Sequence, residues 1–166
     1  MDVKFKYLFE LTKLEIIDLM KILSDKETMS WIKIGKPWSL DYILDLIKYS
    51  KDDYNKKFKY TEYIYICMFI NNKLVGFCGL HPMVKNKLNL TGLQIMIIIH
   101  PDYRGKGLSK LMIDKLIQFN DIFLNKKIYA LVLSNNVQSN RTFKRFISTK
   151  QQITVKTKKY NVYTLN

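Results

Sequence analysis

"IIIHPDYRGKGLSKLMIDKLI" occupies residues 97–117, and its reading decides the fold. The apolar run that ends at Pro101, residues 93–101, reads as a central strand buried on both faces. After it, Leu108, Leu111, Met112, Leu116 and Phe119 recur on one helical face. A strand that feeds through Arg-Gly-Lys-Gly into a helix has a specific physical meaning. The first N–H groups of a helix have no internal partners. Glycines let an anion approach them closely, and the helix dipole adds partial positive charge at the same end. Arg104, Lys106 and Lys110 add full charges, so the stretch suits a pyrophosphate. It is neither a GxxxxGK[ST] loop nor a full GxGxxG turn. The plain alternative is a helix N-terminus whose loop needs glycine for turning.

Working outward, residues 2–9 read as a first strand. Thr12 and Glu15 form a capping-box pattern ahead of a helix carrying Ile16, Leu19, Met20 and Leu23. Residues 25–39 break the pattern and read as a loop with at most one short turn. Ser39 caps a second helix whose expected buried stripe is Leu40, Ile43, Leu44 and Ile47. Residues 48–60 are polar and read as an exposed loop. "YTEYIYICMFI" (60–70) and "LVGFCGLHP" (74–82) form a hairpin around Asn71–Lys73. "IYALVL" (128–133) is a further strand, 135–146 a helix, and 151–165 two short strands. One α+β domain over residues 1–166 follows, with a mixed, largely antiparallel sheet of six to seven strands and about four helices.

Composition narrows the function. The chain has 166 residues, 48% of them hydrophobic, enough for one packed domain. No apolar stretch approaches a membrane span, and the N-terminus lacks the apolar core of a signal peptide, so the expected location is cytoplasmic. The net charge of +14 favours anionic partners, yet only three of the 28 basic residues, Arg104, Arg141 and Arg145, are arginine. Readers of nucleic-acid bases lean on arginine's planar fork, so the balance argues against nucleic acid as the main partner. Cys67 and Cys78 form no metal-ligand pattern. A loop at Asn72-Lys73 would set them opposite each other across two strands, but the expectation is two buried thiols and no metal.

The quoted stretch resembles the acetyl-CoA signature of the GNAT-type N-acetyltransferases: a strand, a short Pro-containing link, then [Q/R]-x-x-G-x-[G/A] opening a helix. Arg104, Gly107 and Ser109 fill its three positions, with Ser109 replacing the usual Gly or Ala. The order of elements matches that superfamily over nearly the whole chain. Residues 22–47 and 73–82 further resemble the branch that includes the N-terminal acetyltransferases of ribosomal proteins. The resemblance implies a GNAT-like fold with acetyl-CoA as co-substrate. Its pyrophosphate would rest on the N–H groups around Arg104, Gly105, Lys106, Gly107, Leu108 and Ser109. Its pantetheine arm would pair with Ile97 and Ile99, the Ile99 N–H donating to the thioester oxygen. Asn136 matches an asparagine that touches the cofactor arm.

The catalytic pattern departs from the family. Gln94 stands where many relatives carry a glutamate base; glutamine orients water but accepts no proton. Phe143 stands where many carry a tyrosine acid beside the cofactor. His81 and His100 are the candidate replacement bases. Near pH 7.5 roughly a quarter of α-amines are neutral, against roughly a thousandth of lysines, so a weak base favours an N-terminal α-amine. The leading expectation is acetyl transfer to a primary amine in a ternary complex. The alternatives are an acetyl-CoA-binding module without catalysis and a basic nucleic-acid binder.

Overall fold

The computed structural model describes residues 2–32, 35–56, 63–83, 90–155 and 157–165. Seven strands form one sheet: β1 (Val3–Tyr7), β2 (Ile64–Ile70), β3 (Lys73–Pro82), β4 (Leu93–Ile99), β5 (Ile128–Leu133), β6 (Ile147–Val155) and β7 (Lys158–Leu165). Their spatial order is β1-β2-β3-β4-β5-β7-β6. Every pairing is antiparallel except β4 with β5. The helices are α1 (Lys13–Leu23), α2 (Lys26–Ser30), α3 (Leu40–Asn55), α4 (Leu108–Phe123) and α5 (Val137–Phe143). The expected α+β class and mixed sheet are therefore present.

The capping signals act as read. The Thr12 hydroxyl accepts from Glu15 N–H (3.3 Å), and the Glu15 carboxylate accepts from Thr12 N–H (2.8 Å). Ser39 Oγ accepts from Tyr42 N–H (3.2 Å) at the start of α3. Two apolar layers cover the sheet. Leu108, Met112, Ile113 and Leu116 of α4 pack on one face with Met68, Val75, Cys78 and Ile95. Leu19, Ile22 and Leu23 of α1 and Ile43 and Leu46 of α3 pack on the other, with Cys67, Phe77 and Ile98.

Several local expectations need correction. Residues 25–30 hold α2, because Asp25 caps it through Thr28 N–H (2.8 Å) and Met29 supplies a fully buried anchor. The buried stripe of α3 is rotated to Ile43, Leu46 and Ser50, leaving Leu40 and Leu44 exposed. The helix also runs on through Asn55, into what reads as a polar loop, because its outer face is free to be charged; residues 57–60 lie outside the described residues. Strand β4 is not buried throughout: Gln94, Met96, Ile97 and Ile99 keep partial exposure.

The hairpin turn sits at Asn71-Asn72, one residue earlier than the loop that would align the cysteines. Both asparagines are left-handed (φ 48° and 64°), the conformation a two-residue hairpin demands and asparagine tolerates. With the register shift between Met68 and Phe69, Cys67 faces Phe77 and Cys78 faces Ile66. The two thiols are free and buried in opposite layers, and burial pushes both up from the ordinary thiol range.

Gly79 is a point of close approach. A Cβ there would collide with the Tyr65 ring and the Ile64 carbonyl, so the Tyr65 ring lies over the backbone of β3. Gly79→Ala is expected to cost about 2 kcal/mol, read as a lower urea midpoint at unchanged slope.

Candidate active site

Residues of β4 aim their peptide groups alternately at β3 and β5. His100 N–H donates to Val75 O (2.9 Å) on the β3 side, and Leu93 N–H to Lys127 O (2.8 Å) on the β5 side. Odd-numbered residues therefore face β5. Pairing with β5 reaches only Leu93↔Ile128 and Gln94↔Tyr129 before the strands separate. Ile97 and Ile99 lie beyond that point, so their N–H groups are directed at an edge that no strand covers among the described residues. A free strand edge inside a sheet is a place for an extended, amide-bearing ligand.

The cradle adjoins this edge. His100 caps a short 3-10 turn over Pro101–Tyr103, and the chain enters α4 through Gly105 and Gly107. Both glycines are left-handed (φ 73° and 75°), and nothing lies within 4 Å of where a Cβ would sit on either. Among the described residues no carbonyl accepts from the N–H groups of Gly105, Lys106, Gly107, Leu108 or Ser109. The first bond of the turn is Lys110 N–H to Gly107 O (3.0 Å). Five free donors around an open turn at the N-terminus of a 16-residue helix fit a diphosphate.

The cations have other partners. Lys106 Nζ donates to Asp102 O (2.9 Å) and lies over the Tyr103 ring (4.9 Å). Lys110 Nζ pairs with Asp114 (2.6 Å). Arg104 Nε donates to Ile99 O (3.3 Å), and its Nη2 donates to Thr28 Oγ1. The donors left for an anion are those of the backbone.

On the opposite face, the register sets His81 beside Gln94 and Gln94 beside Tyr129. His81 Nδ1 lies 3.1 Å from Pro82 O, a carbonyl that only accepts, so that contact is a hydrogen bond when Nδ1 carries the hydrogen. His100 is the reverse: its Nδ1 accepts from Asp102 N–H (3.2 Å), so its lone pair serves as a cap. Six residues of strand, roughly 20 Å, separate His100 from Gln94. The structure thus groups Gln94 with His81 and leaves His100 at the cradle.

Asn136 caps α5, its Oδ1 accepting from Ser139 N–H (3.1 Å), just beyond the end of β5. Phe143 lies in the apolar layer that also holds Leu108, with Ile97 and Ile99 packed against it. It is buried, and its ring stacks on Tyr163 (6.2 Å) within the core. Sequence reasoning missed Asn140. Its Oδ1 accepts from Asn161 Nδ2 and Tyr163 Oη, both 2.6 Å, and its Nδ2 donates to Asn136 O (2.7 Å) and Leu133 O (2.9 Å). The link of Arg104 to Asp25 and Thr28 was likewise invisible, since no spacing rule joins residues so far apart. Among the described residues no group of three or more His, Cys, Asp or Glu is placed to hold a metal, and no helix is long and apolar enough to cross a membrane.

Residues 7–146 match the family model described as an acetyltransferase (GNAT) domain. Solved structures agree in fold. An N-acetyltransferase from Staphylococcus aureus Mu50 is 13% identical over 100% of this chain and 99% of its own, with a TM-score of 0.74. YncA of Salmonella typhimurium, solved with its cofactor acetyl-CoA, is 13% identical over 100% and 94%, with a TM-score of 0.72. Spermidine N-acetyltransferase from Vibrio cholerae, in complex with CoA and spermine, is 18% identical over 98% and 95%, with a TM-score of 0.66. No curated protein matches the sequence.

Proposed function

We propose that this chain, which belongs to the acetyltransferase (GNAT) family, passes acetyl from acetyl-CoA to a primary amine by direct attack in a ternary complex. The observation that carries the reading is the row of free N–H groups from Gly105 to Ser109 beside the uncovered edge of β4. The bound thioester supplies an activated acetyl carbon. The N–H groups at Gly105–Ser109 donate to the diphosphate, with backbone rather than side-chain charge doing most of the holding. The Ile99 N–H, expected to meet the thioester oxygen, sits at the cradle and suits an amide of the arm instead. The arm is far longer than the step from Gly105 to Ile99. Ile97 lies deeper and nearer Gln94, so its N–H is the better donor to the oxygen that turns negative during attack. Asn136 lines the opposite rim.

The attacking nitrogen must lose a proton as its bond to carbon forms and the C–S bond breaks. Gln94 orients a water, and His81, its neighbour across β3 and β4, is the acceptor for that proton; the thiolate leaves and is protonated from solvent. A base this modest suits an acceptor already partly neutral, such as a peptide α-amine. The two free thiols fit action in the reducing cytoplasm.

The test is a thermal shift with CoA followed by acetyl transfer to a panel of amines that includes peptides with free N-termini. Stabilisation with transfer to at least one amine supports the reading. Gln94 and Phe143, which carry no mobile proton, favour a second reading: a module that binds acetyl-CoA without turnover. Stabilisation without transfer to any amine selects that module, and no stabilisation rejects both. Gln94→Glu is expected to raise kcat/KM about tenfold or more near pH 8, and His81→Ala to lower it by a similar factor. Equal rates for all three proteins would place the base elsewhere.

A further inference from the structure

Arg104 opens the cradle, yet its side chain leaves it. Nε donates to Ile99 O (3.3 Å) at the free edge of β4. Nη2 donates to Thr28 Oγ1 and lies 3.6 Å from Asp25 Oδ2; Nη1 lies 4.0 Å from Glu27 Oε1. Asp25 is the cap of α2, accepting from both the N–H and the hydroxyl of Thr28. Those two bonds, with smaller help from Arg104 and His100, hold the Asp25 carboxyl below the usual carboxylate range. Its pairing with Arg104 is therefore charged at neutral pH. Met29 of α2 packs with Ile98, Phe77 and Tyr65 on the face that carries Gln94 and His81. One guanidinium thus reaches from the ligand-facing edge of the sheet to a wall of the opposite face.

We propose that Arg104 is a positioning residue that couples occupancy of the cradle to the placement of α2 above the Gln94 face. The inference rests on the reading that the cradle takes the diphosphate of CoA. A ligand that fixes the N–H groups of Gly105 and Lys106 also fixes the backbone from which the Arg104 side chain starts. The fork to Thr28 and Asp25 then loses less freedom on forming, and α2 is held more firmly. Coupling of this kind is reciprocal: whatever loosens α2 weakens CoA binding by the same factor. Lysine would keep the charge but lose the planar fork that serves Ile99 and Thr28 together.

The experiment is amide hydrogen exchange on the full chain with and without saturating CoA, for wild type, Arg104→Lys, Asp25→Asn and Thr28→Val. In wild type, CoA is expected to slow exchange at Met29 and Trp31 about fivefold, alongside protection at Gly107–Ser109. In the variants the cradle amides are still protected while the α2 response falls below about 1.5-fold. A loss of the Asp25 cap alone would speed exchange in α2 equally with and without CoA, so the ligand-dependent difference isolates the coupling. Protected cradle amides with no response at α2 in wild type, or the same response in all four proteins, overturns the inference and leaves the cofactor reading standing. Unprotected cradle amides in wild type overturn the cofactor reading and this inference with it.

Discussion

Gly107→Glu is expected to weaken CoA binding at least about a hundredfold, roughly 2.7 kcal/mol, while the protein still folds. The position has φ 75°, so any Cβ-bearing residue there adds strain of about 1–2 kcal/mol. That strain is survivable, because nothing lies within 4 Å of the added Cβ. For a domain of this size it lowers the melting temperature by about 5 °C. The larger effect falls on the ligand. A carboxylate at Gly107 can reach the N–H groups of Leu108 and Ser109 that would otherwise meet the diphosphate. It also sets like charges within about 4 Å of each other, worth about 4 kcal/mol at the dielectric of a protein surface. Gly107→Asn separates the two causes: asparagine tolerates the left-handed region and adds no charge. It is expected to show the modest loss of melting temperature with most of the CoA affinity retained. Calorimetric titration with CoA and a thermal melt on the same samples read both quantities. Binding unchanged in Gly107→Glu would move the cradle away from α4.

The cradle was legible because its physics is local. Two glycines, a preceding apolar strand and a following amphipathic helix are all read within one short window, and Gly105 and Gly107 adopt the left-handed turn that this pattern requires. The caps at Thr12 and Ser39 were legible for the same reason. What failed was whatever depended on rotation or register. Helical spacing of apolar residues marked Leu40 and Leu44 for burial, but the rotation of α3 against the sheet turns Leu46 and Ser50 inward instead. The alignment of the cysteines hinged on a one-residue shift of a turn and on a bulge at Met68/Phe69, and neither has a strong signature in a strand of uniformly apolar residues. The meeting of His81 with Gln94 depends on the same kind of long-range register, across a connection of which residues 84–89 lie outside the described residues. Functional roles inherited that limit. The glycine turn of the cradle could be named from sequence, whereas the preference for His81 over His100 rests on the register that sets His81 beside Gln94 and on the His100 Nδ1 that caps the turn after β4.

Asn140→Ala is expected to cost about 3–5 kcal/mol of stability, a large value for a single substitution. Asn140 is 8% exposed, and its amide satisfies groups on three elements at once. Removing it takes from the Tyr163 hydroxyl and the Asn161 Nδ2 their 2.6 Å bonds to Asn140 Oδ1, at residues that are 0% and 6% exposed and have little access to replacement water. It also withdraws the donor that holds the carbonyls of Leu133 and Asn136 together across the turn between β5 and α5. Each buried group left unpaired costs about 1–3 kcal/mol, whereas Tyr163→Phe removes one hydroxyl together with its bond and should cost only about 1 kcal/mol. The double variant should be less damaging than the sum of the singles by about 1 kcal/mol, because phenylalanine leaves no orphaned hydroxyl behind. Urea unfolding of the four proteins gives the cycle. Full additivity would mean that Tyr163 finds another partner once Asn140 is gone. The same turn carries Asn136 to the rim of the opening, so Asn140→Ala should also lower CoA affinity severalfold under conditions where it is still folded, and Tyr163→Phe, which leaves the turn carbonyls bonded, should not.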